Sequence, residues 1–279
     1  MNRVSDSAFA RRVLPVFAIA FGLAAGPCWS QSANLSGIAH VALRVSDLEK
    51  SRGFYQKLGF EQAFQFDEGG KVTQAFIKIN DRQFIELYPR TQDGQSVGLM
   101  HVCYESDHIE DVRNAYLKAG LSPTDVKKAR AGNLLFVLHD PEGQLVEYTQ
   151  YMPGSLHFED RGKHLGEHRI SKQLQSVTIS VKDASMEKAF YVEKLGFQQA
   201  AVHDERVAVL VPGGDGTLSF VEAGNAQLLF PVQNTRGLEG RLHKIGLAVR
   251  MQTDRAVLSD PDGNEIIFEK SSKQHGRVH

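Results

Sequence analysis

The chain has 279 residues, of which 42% are hydrophobic and 23% are charged, and its formal net charge is -1. This length favours two domains of ordinary size, and the composition argues against a disordered, collagen-like or disulfide-rich chain. Because no cluster of Lys and Arg is typical of a phosphate-binding surface, we expect no nucleic-acid partner and instead a small-molecule ligand.

Residues 1–33 are typical of a secretory signal peptide. Basic residues up to Arg12 precede an apolar run over residues 13–26, which is short for a membrane span, and small and polar residues follow it. We expect cleavage near Ala33 and export to the periplasm or the medium, which leaves no stable membrane span; an uncleaved anchor is the alternative. The mature chain keeps one cysteine, Cys103, so it can form no internal disulfide.

A repeat of 61 residues organises the part of the chain that follows. His40 and His101 are 61 residues apart, and so are Glu86 and Glu147, so that each His is followed by a Glu after 46 residues. Each copy reads as a strand, an amphipathic helix and three further strands. In the first copy these elements are a strand over 37–45, a helix from Asp47 to Gly59, and strands near 62–66, 72–79 and 83–88. In the second copy they are a strand over 99–105, a helix from Asp107 to Gly120, and strands near 125–128, 134–139 and 144–149.

A coarser repeat relates the second half of the chain to the first. Asp47 corresponds to Asp183, 136 residues later, and the sequence DPEG at 140–143 corresponds to DPDG at 260–263, where the offset has fallen to 120. The second half is therefore a shortened copy of the first. We predict a signal peptide at 1–33, an N-terminal domain at 34–151, a linker at 152–170 and a C-terminal domain at 171–279.

Strand alternation places several polar side chains of the first half on one face of the predicted sheet. In the first strand Ala39 belongs to the apolar face, so His40 and Arg44 lie together on the opposite face. The same alternation groups His101 with Leu99 and Cys103. The ionisable residues that alternation assigns to such positions are His40, Glu86, His101 and Glu147.

Two His and two Glu with apolar neighbours must be paired, solvated or bound to a metal, because an unpaired buried charge is costly. Imidazole and carboxylate together suit a first-row divalent ion, either zinc, nickel, iron, manganese or cobalt, and the pattern does not choose between them. His164 and His168 are four residues apart but lack a carboxylate partner. The other histidines, among them His157, show no pattern, and we expect surface or capping roles for them. No nucleophile elbow, phosphate-binding loop or dinucleotide fingerprint occurs in the sequence.

The chain resembles the vicinal oxygen chelate superfamily, which includes glyoxalase I, methylmalonyl-CoA epimerases, extradiol dioxygenases and bleomycin resistance proteins. The segments that carry the resemblance are IAHVALRV at 38–45, FY at 54–55 with LGF at 58–60, FIEL at 84–87, and DPEG at 140–143 with Glu147. The resemblance is close over 37–150 and looser over 172–270. It implies an α+β fold of tandem domains, each made of two paired βαβββ modules that form a curved mixed sheet around a cavity.

The resemblance also implies roles for the polar residues. The ligand order is similar to that of bacterial glyoxalase I, so His40, Glu86, His101 and Glu147 are expected to bind one divalent metal ion. Glu147 is the expected proton-transfer base, and Glu86 is the second carboxylate of the catalytic pair. Extradiol dioxygenases generally use two His and one Glu, and usually carry them in the C-terminal half.

Two departures from glyoxalase I concern substrate binding and the second half. Arg44 matches a residue that grips glutathione, but Arg90 and Val97 replace the other two contacts, so the use of glutathione stays open. In the second half the ligand positions correspond to Ser176, Glu222, Gln227 and Ile267, which is a poor metal-binding set.

The expected function is that of a metal-dependent, glyoxalase-like lyase or isomerase whose substrate binds the metal through two adjacent oxygens. One alternative is an extradiol ring-cleavage dioxygenase. The other is a non-catalytic small-molecule binding protein of the bleomycin-resistance type. A homodimer is compatible with the sequence, although the tandem domains could take its place.

Overall fold

The computed structural model describes residues 34–200, 207–214 and 216–271. The predicted signal peptide at 1–33 lies outside this part of the chain, so its cleavage stays a prediction. Among the residues described, no helix combines the length and the apolar character needed to cross a membrane.

The N-terminal half has the strand and helix order that the 61-residue repeat predicts. Its elements are β1 Gly37–Val45, α1 Leu48–Lys57, β2 Glu61–Glu68, β3 Lys71–Lys78, β4 Phe84–Pro89, β5 Gly98–Glu105, α2 Ile109–Lys118, β6 Lys127–Lys128, β7 Leu134–His139 and β8 Leu145–Gln150. A short helix, α3 Leu156–Glu159, follows. The elements of the C-terminal half are β9 Ser176–Ser180, α4 Ala184–Glu193, β10 Gln198–Gln199, β11 Val207–Leu210, β12 Thr217–Val221, β13 Gln227–Val232, α5 Leu238–Lys244, β14 Arg250–Gln252, β15 Arg255–Ser259 and β16 Glu265–Lys270.

Each half forms one eight-stranded mixed sheet, and the two sheets have the same topology. The N-terminal order is β2-β3-β4-β1-β5-β8-β7-β6, and the C-terminal order is β10-β11-β12-β9-β13-β16-β15-β14. Within each module the first and last strands are parallel, and the two modules join where β1 and β5 run antiparallel. The predicted α+β fold of tandem, paired βαβββ modules is confirmed.

Local signals account for most helix boundaries. The Asp47 carboxylate accepts a hydrogen bond from the backbone N–H of Lys50 at 3.1 Å, and Gly59, with φ 83°, follows the end of α1. Asp183 caps α4 in the same way. The predicted start of the second helix at Asp107 is early, because α2 begins at Ile109 after His108, which makes no side-chain capping bond.

Two bulges change which side chains share a face of the N-terminal sheet. The pairing of β1 with β5 shifts in register at Ala39 and again beside Leu99. Ala39 therefore packs with Phe84 and Cys103 in a separate apolar cluster, whereas Leu99 packs against the main core. The predicted places of Ala39 on the core face and of Leu99 beside His101 are wrong, since an extra residue at a bulge interrupts strict alternation.

The two halves share one continuous apolar core. The rings of Phe60 and Phe230 lie 5.4 Å apart, and those of Tyr104 and Phe197 lie 5.1 Å apart. Burial of apolar side chains is the main source of folding free energy. The halves therefore stabilise each other.

Each Asp-Pro-x-Gly turn contacts the start of a helix in the other half. Asp262 accepts a hydrogen bond from the backbone N–H of Ser46, beside α1, at 3.0 Å. Glu142 accepts hydrogen bonds from the backbone N–H groups of Lys182 and Asp183, beside α4, at 2.6 and 2.9 Å. A carboxylate at a helix N-terminus is favourable, so these turns act as caps across the two halves.

Strand register identifies the C-terminal counterparts of the four polar residues. Ala42 on β1 pairs with Glu86 on β4, and its counterpart on β9, Thr178, pairs with Ser219 on β12. Ser219 therefore takes the place of Glu86, and the expected counterpart Glu222 is wrong because it lies beyond the end of β12. The second half is three residues shorter before this strand than the 136-residue offset assumes. The counterparts on the C-terminal sheet are then Ser176, Ser219, Gln227 and Ile267.

The segment predicted as a linker packs against the N-terminal sheet. The hydroxyl of Ser155 accepts a hydrogen bond from the backbone N–H of Phe158 at 3.3 Å and so caps α3. Asp160 forms an ion pair of 2.8 Å with Lys78, which is fully buried. The expected surface or capping role of His157 is wrong, because this side chain is buried with 2% exposure. The repeat does not predict this burial, because His157 contacts residues that are far away in sequence.

Candidate metal centre

The structure brings the four predicted ligands together on adjacent strands. His40, Glu86, His101 and Glu147 lie on β1, β4, β5 and β8, which are the four central strands of the N-terminal sheet. Their side chains are between 3% and 12% exposed. The repeat-equivalent His and Glu residues of both modules therefore form one buried cluster.

The donor atoms of this cluster lie within a few ångströms of one another. His40 Nε2 lies 3.2 Å from His101 Nε2 and 3.4 Å from Glu147 Oε1. His40 Nδ1 lies 3.4 Å from Glu86 Oε1, and His101 Nε2 lies 3.9 Å from Glu147 Oε2. Glu86 therefore faces one nitrogen of the His40 ring, while Glu147 and His101 face the other.

The chemistry of this donor set fits a divalent cation. The donor atoms of His40, Glu86 and His101 all lie within 4.8 Å of one another. His40 Nδ1 is buried and has no hydrogen-bond partner of good geometry among the described residues. Two carboxylates and two imidazoles in a buried place match the ligands that first-row divalent ions prefer. The metal-binding and catalytic roles of these residues stay predictions.

The electrostatics of the cluster also favour a positive charge between the carboxylates. Burial opposes protonation of His40, but the neighbouring Glu86 and Glu147 outweigh it and raise the pKa of His40. Burial lowers the pKa of His101 to about 4, in spite of the nearby Glu147. His101 is therefore neutral near pH 7, with a lone pair for a metal.

The two carboxylates differ in how they are held. Glu86 Oε2 accepts hydrogen bonds from Gln74 Nε2 at 2.8 Å and from the Tyr88 hydroxyl at 2.9 Å, which leaves Oε1 toward His40. Glu147 receives no comparable amide or phenol hydrogen bond within the described ranges. Glu86 is thus fixed in orientation, and Glu147 is freer to turn.

Cys103 is a further member of the cluster, which strand alternation placed on the face of His101 but which was not among the predicted ligands. It pairs with His40 across β1 and β5, and with Glu147 across β5 and β8. Donor atoms of His40, Cys103 and Glu147 lie within 4.8 Å of one another. Burial raises the pKa of the Cys103 thiol, so the thiol stays protonated and can donate a hydrogen bond to Glu147.

Arg44, which we expected to contact the substrate, lies near the end of β1. It follows His40 by four residues on the same strand and is half-buried. Its Nη1 donates a hydrogen bond to the backbone carbonyl of Ser96 at 3.3 Å. A contact with substrate stays a prediction for this guanidinium.

Comparison with known proteins identifies the family. The model of the Glyoxalase/Bleomycin resistance protein/Dioxygenase superfamily matches residues 37–148. Mitochondrial methylmalonyl-CoA epimerase from Bos taurus is 31% identical over 144 residues, in an alignment that covers 45% of this chain and 78% of the epimerase. The chain belongs to the glyoxalase, bleomycin resistance protein and dioxygenase superfamily, as its sequence motifs predicted.

Solved structures show the same tandem fold. The 2,3-dioxygenase LapB from Pseudomonas sp. KL28 superposes with a TM-score of 0.67 at 16% identity, covering 87% of this chain and 94% of the dioxygenase. The Mn(II)-bound glyoxalase from Novosphingobium aromaticivorans superposes with a TM-score of 0.65 at 14% identity, covering 85% of this chain and 82% of the glyoxalase. The fold of this chain is therefore shared with a 2,3-dioxygenase and with a Mn(II)-bound glyoxalase.

Proposed function

We propose that the protein is a metal-dependent lyase or isomerase of the glyoxalase type. One divalent ion would be held by His40, Glu86, His101 and Glu147, and the substrate would be a small molecule with two adjacent oxygens. The identity of the metal stays open among zinc, nickel, iron, manganese and cobalt.

The observation that carries this proposal is the unequal support of the two carboxylates. Glu86 is oriented by Gln74 and Tyr88, as a permanent ligand should be. Glu147 lacks such support in the described part of the chain and lies beside the two imidazoles, so it can turn toward a substrate carbon and accept its proton.

A bound divalent ion would neutralise the negative charge that develops on the two substrate oxygens as the proton leaves. The other steps of the proton transfer are carried out by side chains of the protein. Glu147 takes the proton and returns it, Glu86 keeps its orientation, and the surrounding apolar side chains exclude water from the exchange. We expect Arg44, at the end of β1, to meet a polar group of the substrate outside this cluster.

The relatives named as methylmalonyl-CoA epimerases support proton transfer, because epimerisation beside a carbonyl removes and returns a proton. The C-terminal sheet offers Ser176, Ser219, Gln227 and Ile267 at the equivalent positions, so we assign it a role in shaping and stabilising the N-terminal site.

Ring cleavage of a catechol is the second candidate. The likeness in fold to a 2,3-dioxygenase over 87% of the chain is the observation that favours it. The presence of four candidate ligands in the N-terminal half favours the lyase or isomerase, since a second Glu supplies the base that proton transfer needs.

Solvent-deuterium exchange distinguishes the two functions. The metal-loaded protein should incorporate deuterium from D₂O into a 2-oxo or 2-hydroxy compound, which mass spectrometry detects, and should consume no oxygen with catechol. Absence of exchange across such compounds, together with catechol-dependent oxygen uptake, would replace the first proposal with the second.

We also propose that the protein is exported after cleavage near Ala33. The charged and then apolar composition of residues 1–33 supports this location.

A further inference from the structure

His157 is a buried polar side chain that the proposed chemistry does not use. It lies on α3, in the segment between the two sheets, and is 2% exposed. Neither ring nitrogen has a hydrogen-bond partner within the described ranges, and solvent reaches neither of them. A neutral imidazole carries one donor and one acceptor, and leaving both unpaired in an apolar place costs free energy.

Aromatic rings hold this imidazole in place. Phe64, Phe76 and Phe84 meet it edge to face, with ring centroids 5.0, 5.4 and 4.8 Å away, and Tyr151 stacks on it at 4.7 Å. We call this group the aromatic box. Aromatic packing stabilises the position of the ring but does not satisfy its nitrogens.

The aromatic box adjoins the candidate metal centre. Phe84 is the register partner of His40, and Phe76 is the register partner of Glu86. His157 contacts both of these phenylalanine rings, so it lies one side chain away from the metal-ligand cluster. It is not among the donor groups that lie within 4.8 Å of one another, so direct ligation is not its role.

The segment that carries His157 is firmly attached. Asp160 pairs with the fully buried Lys78 at 2.8 Å and with His164 Nδ1 at 2.6 Å. These contacts lie just past the end of α3 and fix it against β3. An imidazole held in this way is preorganised, so little entropy is lost when it forms a hydrogen bond.

On the basis of the proposed function, we infer that His157 is a substrate-contacting residue that determines specificity. One ring nitrogen forms a hydrogen bond with an oxygen of the ligand bound at His40, Glu86, His101 and Glu147. Solvent reaches neither nitrogen in this structure, so this hydrogen bond requires one ring of the aromatic box to move aside, and Phe64 is the half-buried one. Phe64, the half-buried ring of the box, and Phe66, half-buried beside it, are available to the apolar body of the same ligand.

The expected substrate is therefore a small, flat molecule with two adjacent oxygens next to an apolar group. Benzohydroxamate is a suitable probe, because it combines a planar pair of oxygens with a phenyl ring. Acetohydroxamate has the same pair of oxygens without the ring and reports the contribution of the apolar body.

The test compares the Mn(II)-loaded full-length protein with His157→Phe and His157→Leu, which remove the nitrogens, and His157→Gln, which restores a polar group. Benzohydroxamate affinity is measured by calorimetry, and metal content by elemental analysis. We expect unchanged metal content, a loss of affinity of about tenfold or more for Phe and Leu, and partial recovery for Gln. Tyr151→Phe keeps the stacked ring and should retain wild-type affinity.

Wild-type affinity in His157→Phe or His157→Leu would show that the imidazole only fills space and would overturn the inference. Loss of the metal in these variants would overturn it in a different way, by making His157 a ligand. If wild-type protein bound neither Mn(II) nor the probe, the proposed function itself would fail, and that result is visible before any variant is made.

Discussion

Glu86 and Glu147 occupy repeat-equivalent positions but have different surroundings. Gln74 and Tyr88 both donate to Glu86, whereas Glu147 contacts the two imidazoles and the Cys103 thiol. A hydrogen-bonded ligand keeps its orientation through a reaction, while a base has to approach and leave the proton that it moves. The two residues should therefore respond differently to the same substitution.

We predict that Glu147→Gln keeps much of its metal but loses turnover by roughly a hundredfold or more, the usual scale for removal of a general base. Glu86→Gln retains a ligand oxygen and should lose no more than about tenfold in rate. The rate of solvent-deuterium exchange and the metal content per chain measure the two effects separately. Equal losses in both variants would show that neither carboxylate is the dedicated base.

The sequence predicted the four candidate ligands but only part of their surroundings. His40, Glu86, His101 and Glu147 follow from a repeat, because equivalent positions in paired modules converge at the centre of the sheet. The other residues around the cluster depend on contacts that the 61-residue repeat does not predict. Gln74 reaches Glu86 from a neighbouring strand, and His157 arrives from a segment outside the repeat.

At the level of elements, the turn at Glu142 and the helix α4 form a buried acidic contact between the halves. Glu187 on α4 is fully buried and accepts a hydrogen bond from the backbone N–H of Glu142 at 3.2 Å. Its second oxygen has no partner among the described residues. Burial and the nearby Asp140 raise the pKa of Glu187 to about 7.

This raised pKa makes stability depend on pH. Between the ordinary pKa of about 4.5 and the folded value of about 7, the folded protein keeps a proton that the unfolded chain has released. The free energy of unfolding therefore falls as the pH rises through this window, and the loss is complete above it.

We predict that Glu187→Gln gains stability over wild type as the pH rises from 5 to 8, by about 2 kcal/mol, because Gln carries no charge to bury. Urea unfolding at both pH values measures the difference. Glu193→Gln, on the exposed side of the same helix, is the matched control and should follow wild type. A difference from wild type that stays constant between pH 5 and 8 would contradict the assignment to Glu187.

Element boundaries were predictable where a local signal sets them. The first strand and the caps at Asp47 and Gly59 agree with the sequence because side-chain capping and positive φ are properties of single residues. The bulge at Ala39 can be recognised only with the partner strand, and so can the assignment of Ser219 instead of Glu222. Register is a property of strand pairs, which a constant offset cannot supply.

In the molecule as a whole, the two related halves differ: the N-terminal half carries the candidate metal ligands, and the C-terminal half supports it. Both sheets have the same strand order and share one core, but the His and Glu cluster is found only on the N-terminal sheet within the described residues. The C-terminal half contributes caps and apolar contacts to its partner half.

We predict that the protein isolated from its native cells begins close to Asn34, because residues 1–33 have the composition of a cleaved export signal. Intact mass spectrometry of secreted or periplasmic protein gives the start directly. A cytoplasmic protein that retains its first residues would disprove export.

The central claim is that His40, Glu86, His101 and Glu147 bind one divalent metal ion per chain. Elemental analysis of protein purified without added metal, followed by titration with each candidate ion, tests it most directly. We expect about one ion per wild-type chain, a content near zero in His101→Ala because the Cys103 thiol beside it keeps its proton and is a poor substitute for the lost imidazole, and a wild-type value in His139→Ala, which changes an exposed histidine. A wild-type chain that binds no ion, or a His101→Ala variant that keeps a full equivalent, would contradict the claim.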